Sequence, residues 1–179
     1  MQMTAEDCQN LAARLAEFPT MEEKVSRFNR FTGRRAADAP GESALCYDFL
    51  ETLLGSRAPA SREIAAVMCL GLTAGLPSPA EPPPAKATKE RSKQILSAIR
   101  SSRDPSYGGN VLPMIRSYMQ WNDEDRSLTF YGLISLLKSR NVSEREAGRT
   151  ACLGFLVFAC GTEGGLEEAR SPSERNSDV

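Results

Sequence analysis

The residues of this chain whose types and spacing could do chemistry are basic ones, grouped in two clusters. The first cluster has five positive charges within twelve residues: Lys24, Arg27, Arg30, Arg34 and Arg35. The second is countered only by Glu90 and Asp104 and contains Lys86, Lys89, Arg91, Lys93, Arg100 and Arg103. Such clusters can be solvated helix faces, or they can bind the phosphates of anionic lipid or nucleic acid. Neither cluster interleaves aromatic residues as a stacking platform would, so base-specific recognition is not indicated.

Residues for catalysis or metal binding are scarce. The chain has no histidine, which removes Ser-His and Cys-His pairs and histidine-containing zinc sites. The five cysteines are scattered, without Cys-x-x-Cys spacing: Cys8, Cys46, Cys69, Cys152 and Cys160. This pattern predicts reduced cysteines rather than a disulfide framework or structural zinc. The acidic run 123–125 is typical of a helix start. The sequence therefore predicts a protein that is not an enzyme and has no catalytic residue, metal or cofactor.

The overall composition is that of an ordinary globular chain. Hydrophobic residues make up 41% and charged residues 25% of 179 residues, and the net charge is −1. These values exclude wholesale disorder and a uniformly basic nucleic-acid binder. The longest apolar run, 151–160, is about half of the ~20 residues that cross a bilayer. We therefore expect any membrane binding to be peripheral.

The elements that position the basic clusters are predicted to be helices, because apolar residues recur with helical period and no strand-length alternation is found. The segment LPSPAEPPPAK, which starts at Leu76, divides the chain, since proline at that density cannot continue a helix. The sequence thus predicts an all-α fold of two small bundles with about four helices each. The predicted divisions are an N-terminal lobe over 1–75, a Pro-rich linker over 76–87, a C-terminal lobe over 88–161 and a flexible acidic tail over 162–179.

Local signals place several helix starts. Thr20 and Glu23 have the spacing of a capping box, and Ser143 and Glu146 have it again before the last helix. Ser61 is expected to cap the fourth helix. These signals predict helices that begin close to each of the three hydroxyl residues.

The helix that carries the first cluster is expected to bury an apolar stripe made of Val25, Phe28 and Phe31. Arg27, Arg30 and Arg34 lie off this stripe, and Lys24 lies nearer its edge. The arginines are therefore expected to face solvent.

Taken in order, several segments resemble the matrix protein of influenza and its orthomyxovirus relatives, from about residue 16 to residue 161. Residues 59–79 read PASREIAAVMCLGLTAGLPSP and resemble the family's fourth helix and the loop after it. Residues 91–107 read RSKQILSAIRSSRDPSY and resemble its basic fifth helix. Residues 128–133, LTFYGL, resemble a short Thr-Phe-aromatic-Gly segment, and residues 147–161, AGRTACLGFLVFACG, resemble its apolar central helix.

The resemblance implies a structural protein that forms a layer beneath the virion envelope. It implies three partners: further copies of the chain, anionic lipid of the inner leaflet, and viral ribonucleoprotein. Viral glycoprotein tails and the nuclear export protein are further candidates. The implied locations are the virion, the host cytoplasm and nucleus, and the inner face of the plasma membrane. The chain departs from the family at residues 116–121, RSYMQW. The family has a strongly basic cluster there, whereas this segment has a single basic residue.

A second interpretation is a helical interaction module, such as a Bcl-2-like bundle around the apolar segment 151–160. That function needs a hydrophobic groove for the amphipathic helix of a partner. The Pro-rich segment is unusual for such a fold, so the sequence favours the matrix interpretation.

Overall fold

In a computed structural model, residues 4–32, 40–78, 82–100, 114, 118 and 122–160 are described. They form seven α-helices: α1 (Ala5–Ala16), α2 (Met21–Thr32), α3 (Pro40–Leu54), α4 (Pro59–Thr73), α5 (Ala85–Arg100), α6 (Asp123–Lys138) and α7 (Val142–Cys160). No strand occurs among these residues, so the predicted all-α class is confirmed. The predicted acidic tail, 162–179, lies outside the described residues.

The start of α2 follows the sequence prediction. The backbone N–H of Glu23 donates to the Thr20 hydroxyl over 3.2 Å, and the Thr20 N–H donates to the Glu23 carboxylate over 3.3 Å. Two donors that the first helical turn would leave without partners are thus satisfied reciprocally.

Two other helix starts differ from the prediction. α4 begins at Pro59, one position after Ala58, so Ser61 lies inside the first turn and does not cap it. Proline suits this position because it has no N–H to leave unsatisfied. At α7 the cap is Asn141, whose side-chain oxygen accepts the Ser143 N–H over 2.9 Å. Ser143 is therefore also inside its helix.

Helices from both sides of the Pro-rich segment share one hydrophobic core. α4 lies at its centre, because all seven residues from 64 to 70 are buried and the helix packs against α1, α2, α3, α6 and α7. α3 also packs against α7. The predicted arrangement as two bundles, each with its own core, is therefore not confirmed.

The Pro-rich segment is partly built into the fold. Pro77 is buried, and the hydroxyl of the fully buried Tyr118 donates to the Gly75 carbonyl oxygen over 3.0 Å. α5 begins at Ala85, inside the predicted linker 76–87. The connection between α4 and α5 therefore ends three positions before the predicted end of the linker.

Candidate anion-binding surfaces

α5 carries four exposed basic residues along one side, here called the basic stripe: Lys86, Lys89, Lys93 and Arg100. With 3.6 residues per helical turn, these positions fall within about 60° of one another around the axis. Ile95, 1% exposed, lies on the other side of the helix and packs into the core. The same helical period thus buries Ile95 and presents four cations to solvent.

Polar contacts hold α5 against α6 and fix the orientation of the stripe. The Ser92 hydroxyl lies 3.0 Å from the Gly132 carbonyl oxygen of α6 and 2.8 Å from the Thr88 carbonyl oxygen of its own helix, so its one hydrogen can serve either acceptor. The Arg91 Nε donates to the Thr129 hydroxyl, also over 3.0 Å. Arg91 is half-buried in this contact, and burial lowers the pKa of its guanidinium. Arg91, one of the predicted binding residues, therefore holds α5 against α6 and is not part of the stripe.

Three of the four stripe residues have no carboxylate partner among the residues that the structure describes. Lys93 pairs with Glu90 over 2.9 Å, and both side chains are largely exposed, so solvent weakens this ion pair. No carboxylate in the described ranges pairs with Lys86, Lys89 or Arg100. The stripe therefore offers a concentrated positive surface although the whole chain is near neutral.

A groove with a volume of about 700 Å³ lies beside the stripe, between α5, α6 and the start of α7. Basic and apolar residues line it together, among them Lys89, Lys93, Lys138, Leu96, Tyr131 and Ile134. Lys138 also pairs with Glu63 of α4 over 2.7 Å. Such a lining suits an amphiphile that carries an anionic group next to an apolar one.

Only some residues of the first predicted cluster are exposed to solvent. Arg27 and Arg30 are exposed on α2, but Lys24 is 5% exposed and its ammonium group donates to the Phe18 carbonyl oxygen. This carbonyl lies in the connection between α1 and α2, so the Lys24 ammonium group provides it with a hydrogen-bond donor. The structure thus buries Lys24, whereas Arg27 and Arg30 of the same predicted cluster are exposed.

Three exposed arginines on α1 and α2 are here called the arginine surface: Arg14, Arg27 and Arg30. The Arg14 guanidinium lies 5.6 Å from the centre of the Phe31 ring, and that of Arg27 lies 5.0 Å from the Phe18 ring. Such cation–π contacts contribute about 0.5–1 kcal/mol each at exposed sites.

Two features of the arginine surface were not predicted. Phe31 is 44% exposed, so the buried stripe of α2 ends at Phe28. The sequence also gave no indication of Arg14, because only the packing of α1 on α2 brings it to Phe31. Aromatic rings therefore do accompany this basic cluster, through the contacts of Arg14 with Phe31 and of Arg27 with Phe18.

The remaining predicted binding residues, Arg34, Arg35 and Arg103, lie outside the described residues. In the part of the chain that the structure describes, no group of three acidic or cysteine side chains is arranged to hold a metal ion. None of the described helices is both long and apolar enough to cross a membrane. Comparison of the chain with known families, curated proteins and solved structures gives no match.

Proposed function

We propose that this chain is a structural matrix protein of the orthomyxovirus kind, which packs side by side into a layer and holds that layer against anionic membrane. The observation that carries the proposal is the basic stripe, where Lys86, Lys89 and Arg100 lie exposed on one side of a well-anchored helix, without a carboxylate partner among the described residues. The sequence resemblance supports the same function.

The energetics favour binding to an anionic surface. Each lysine or arginine close to such a membrane contributes about 1 kcal/mol. One protein therefore binds weakly through three charges, whereas a layer of many copies adds their contributions. Because Ser92 and Arg91 already fix α5 on α6, binding orders little additional structure. Viral ribonucleoprotein offers phosphates to the same surfaces, and we propose it as a second partner.

Co-sedimentation with vesicles tests the proposal. The variant Lys89→Glu/Arg100→Glu should bind vesicles that contain phosphatidylserine about tenfold or more weakly than the wild type. Arg57→Glu/Arg140→Glu is a matched control, because both arginines are exposed, lie off α5, and produce the same change of net charge. Wild-type binding should also fall steeply as salt is raised. Equal losses in the two variants would contradict a specific role for the stripe.

The groove beside the stripe favours a second candidate function, a module that binds an acidic amphipathic helix. The two functions differ in their dependence on protein concentration. A matrix protein should form layers or tubes on anionic vesicles, visible by electron microscopy, as its concentration rises. A groove-binding module should remain monomeric on the same vesicles.

A further inference from the structure

Two cysteines that are 38 positions apart in the sequence lie side by side where α1 meets α3. The Sγ atoms of Cys8 and Cys46 are 2.9 Å apart, and both cysteines are reduced. A disulfide bond is about 2.05 Å long, so the two sulfurs need to approach by only about 0.9 Å. Rotation of the two side chains can supply a movement of this size.

We propose that Cys8 and Cys46 form an intramolecular disulfide when the chain meets a small disulfide oxidant such as glutathione disulfide. The bond joins α1 to α3 covalently. This inference is independent of the proposed membrane function.

The accessibility of the two sulfurs sets the order of the steps. Cys46, which is half-buried, attacks one sulfur of glutathione disulfide as a thiolate and expels one glutathione thiolate. Cys8, which is fully buried, then loses its proton and attacks the Cys46 sulfur, expelling the second glutathione thiolate. The expelled thiolates take up the two protons that the cysteines release. Two protein thiols are thus oxidised to one disulfide, and one glutathione disulfide is reduced to two glutathiones.

The surroundings of the pair favour this chemistry. In the reduced pair, the hydrogen bond between the sulfurs lowers the pKa of Cys8, so the pair releases its first proton more readily than an isolated buried cysteine does. Cys152 is the contrasting case, because burial raises the pKa of its thiol to about 12. We therefore expect Cys152 to stay reduced under conditions that oxidise the pair.

The disulfide closes a loop that contains the whole of α2. This loop includes all three residues of the arginine surface, Arg14, Arg27 and Arg30. The bond would therefore restrict the separation of α1 from α3, the two helices that flank this loop.

Peptide mapping of the full wild-type chain tests the proposal directly. The protein is equilibrated in glutathione buffers of increasing oxidising potential, remaining thiols are alkylated, and the protein is digested with trypsin. Cleavage after Arg14, Arg35 and Arg57 separates Cys8 on peptide 1–14 from Cys46 on peptide 36–57. We expect these two peptides to become linked, with the loss of two hydrogens, while the Cys152 peptide is alkylated at that residue.

Variants provide matched controls. Cys152→Ala should form the same linked peptides, whereas Cys46→Ala should not form them. The oxidised wild type should melt about 5 °C or more above the reduced protein, because the bond restricts the unfolded chain. Linkage between other cysteines, glutathione adducts without linkage, or full alkylation in the most oxidising buffer would each overturn the proposal. Misfolding of a variant would leave the wild-type mapping decisive.

Discussion

The Nε of Arg62 donates a hydrogen bond of 2.6 Å to the backbone carbonyl oxygen of Leu137, 75 positions later in the chain. Arg62 lies on α4 and Leu137 near the end of α6, so the bond joins the two sides of the Pro-rich segment. The same guanidinium donates to the carbonyl oxygens of Ser56 and Arg57, over 2.6 Å and 2.9 Å. The last carbonyls of a helix lack partners within it, so a buried cation is favourable there. Arg62 therefore holds α4, the end of α6 and the turn after α3 together.

Replacing Arg62 with methionine should lower the free energy of unfolding by about 2–4 kcal/mol. The methionine side chain fills part of the volume but leaves the Leu137 carbonyl oxygen without its donor. Urea denaturation followed by circular dichroism measures the loss. Arg57→Met is the control, because the exposed Arg57 contributes its backbone oxygen and should lose less than about 0.5 kcal/mol. Similar losses in both variants would contradict the role given to Arg62.

The shared core predicts that cutting the Pro-rich segment will not separate the two parts of the chain. A specific protease site inserted directly after the exposed Ser78 allows a single cut. Because α4 packs against α6 and α7, the two fragments should elute together from a gel-filtration column. They should separate only in denaturant. Fragments that separate in native buffer, each still helical, would instead support the two independent bundles that the sequence predicts.

The helices could be predicted from the sequence because their signals are local. The period of the apolar residues and the capping box of Thr20 and Glu23 depend on neighbours within one or two turns. The shared core could not be predicted in this way, since periodicity shows which side of a helix is apolar but not which helix covers it. The run 64–70, apolar throughout and fully buried, is the local sign of a central helix.

The basic residues of the candidate surfaces could be identified from the sequence, but which of them are exposed could not. The spacing of Lys89, Lys93 and Arg100 alone predicts a basic side of α5. By contrast, Lys24 is buried with its ammonium group donating a hydrogen bond to a carbonyl oxygen six residues earlier, and Arg91 donates to a hydroxyl of α6. A sequence pattern treats every lysine and arginine as solvated, so contacts of this kind become visible only in the folded chain.

Gly71 marks the closest approach of α2 and α4. A Cβ atom at this position would lie 2.2 Å from the Cε1 of Phe28, whose ring is buried. In an open helix, replacing glycine with alanine stabilises by about 1 kcal/mol. Here we expect Gly71→Ala to destabilise the protein by about 1–3 kcal/mol, because the Phe28 ring must be displaced.

A double-mutant cycle measures this steric conflict. Phe28→Leu replaces the ring with a smaller side chain. Its loss in the free energy of unfolding should therefore be smaller in the Gly71→Ala background than in the wild type. Gly55→Ala is the control, because its new Cβ would lie 3.5 Å from the nearest backbone oxygen, an ordinary contact. Additive free energies in the cycle would show that Gly71 and Phe28 do not conflict.

Phe155 places α7 in the core. It is 1% exposed and meets Tyr118 edge to face, with ring centres 5.1 Å apart and planes at 77°. Phe155→Ala should therefore cost about 3–5 kcal/mol through lost burial and the resulting cavity. Val142→Ala, at a residue that is 62% exposed, should change the free energy of unfolding by less than about 0.5 kcal/mol. A loss below about 1 kcal/mol for Phe155→Ala would be inconsistent with a buried α7.

The start of α1 should become less stable in acid because of Asp7. Its carboxylate accepts hydrogen bonds from the Thr4 backbone N–H over 2.8 Å and from the Thr4 hydroxyl over 2.9 Å. These bonds, the backbone one first, favour the ionised form and hold the pKa of Asp7 below its usual range. Since the folded pKa is lower than the unfolded one, the stabilisation is complete above the ordinary aspartate pKa of about 4. It is lost as the pH falls through the folded value.

Asp7→Asn should therefore have its largest effect near pH 6, where the wild-type carboxylate is ionised. The difference between variant and wild type should shrink as the pH falls below about 4, because the wild type also loses its charge. Amide hydrogen exchange in α1 and urea midpoints, measured at pH 6 and pH 3, follow this change. Thr4→Ala removes one of the two donors and also the acceptor of the Asp7 N–H, so only part of its loss should depend on pH. A gap between Asp7→Asn and wild type that stays constant from pH 6 to pH 3 would show that the ionised carboxylate does not stabilise α1.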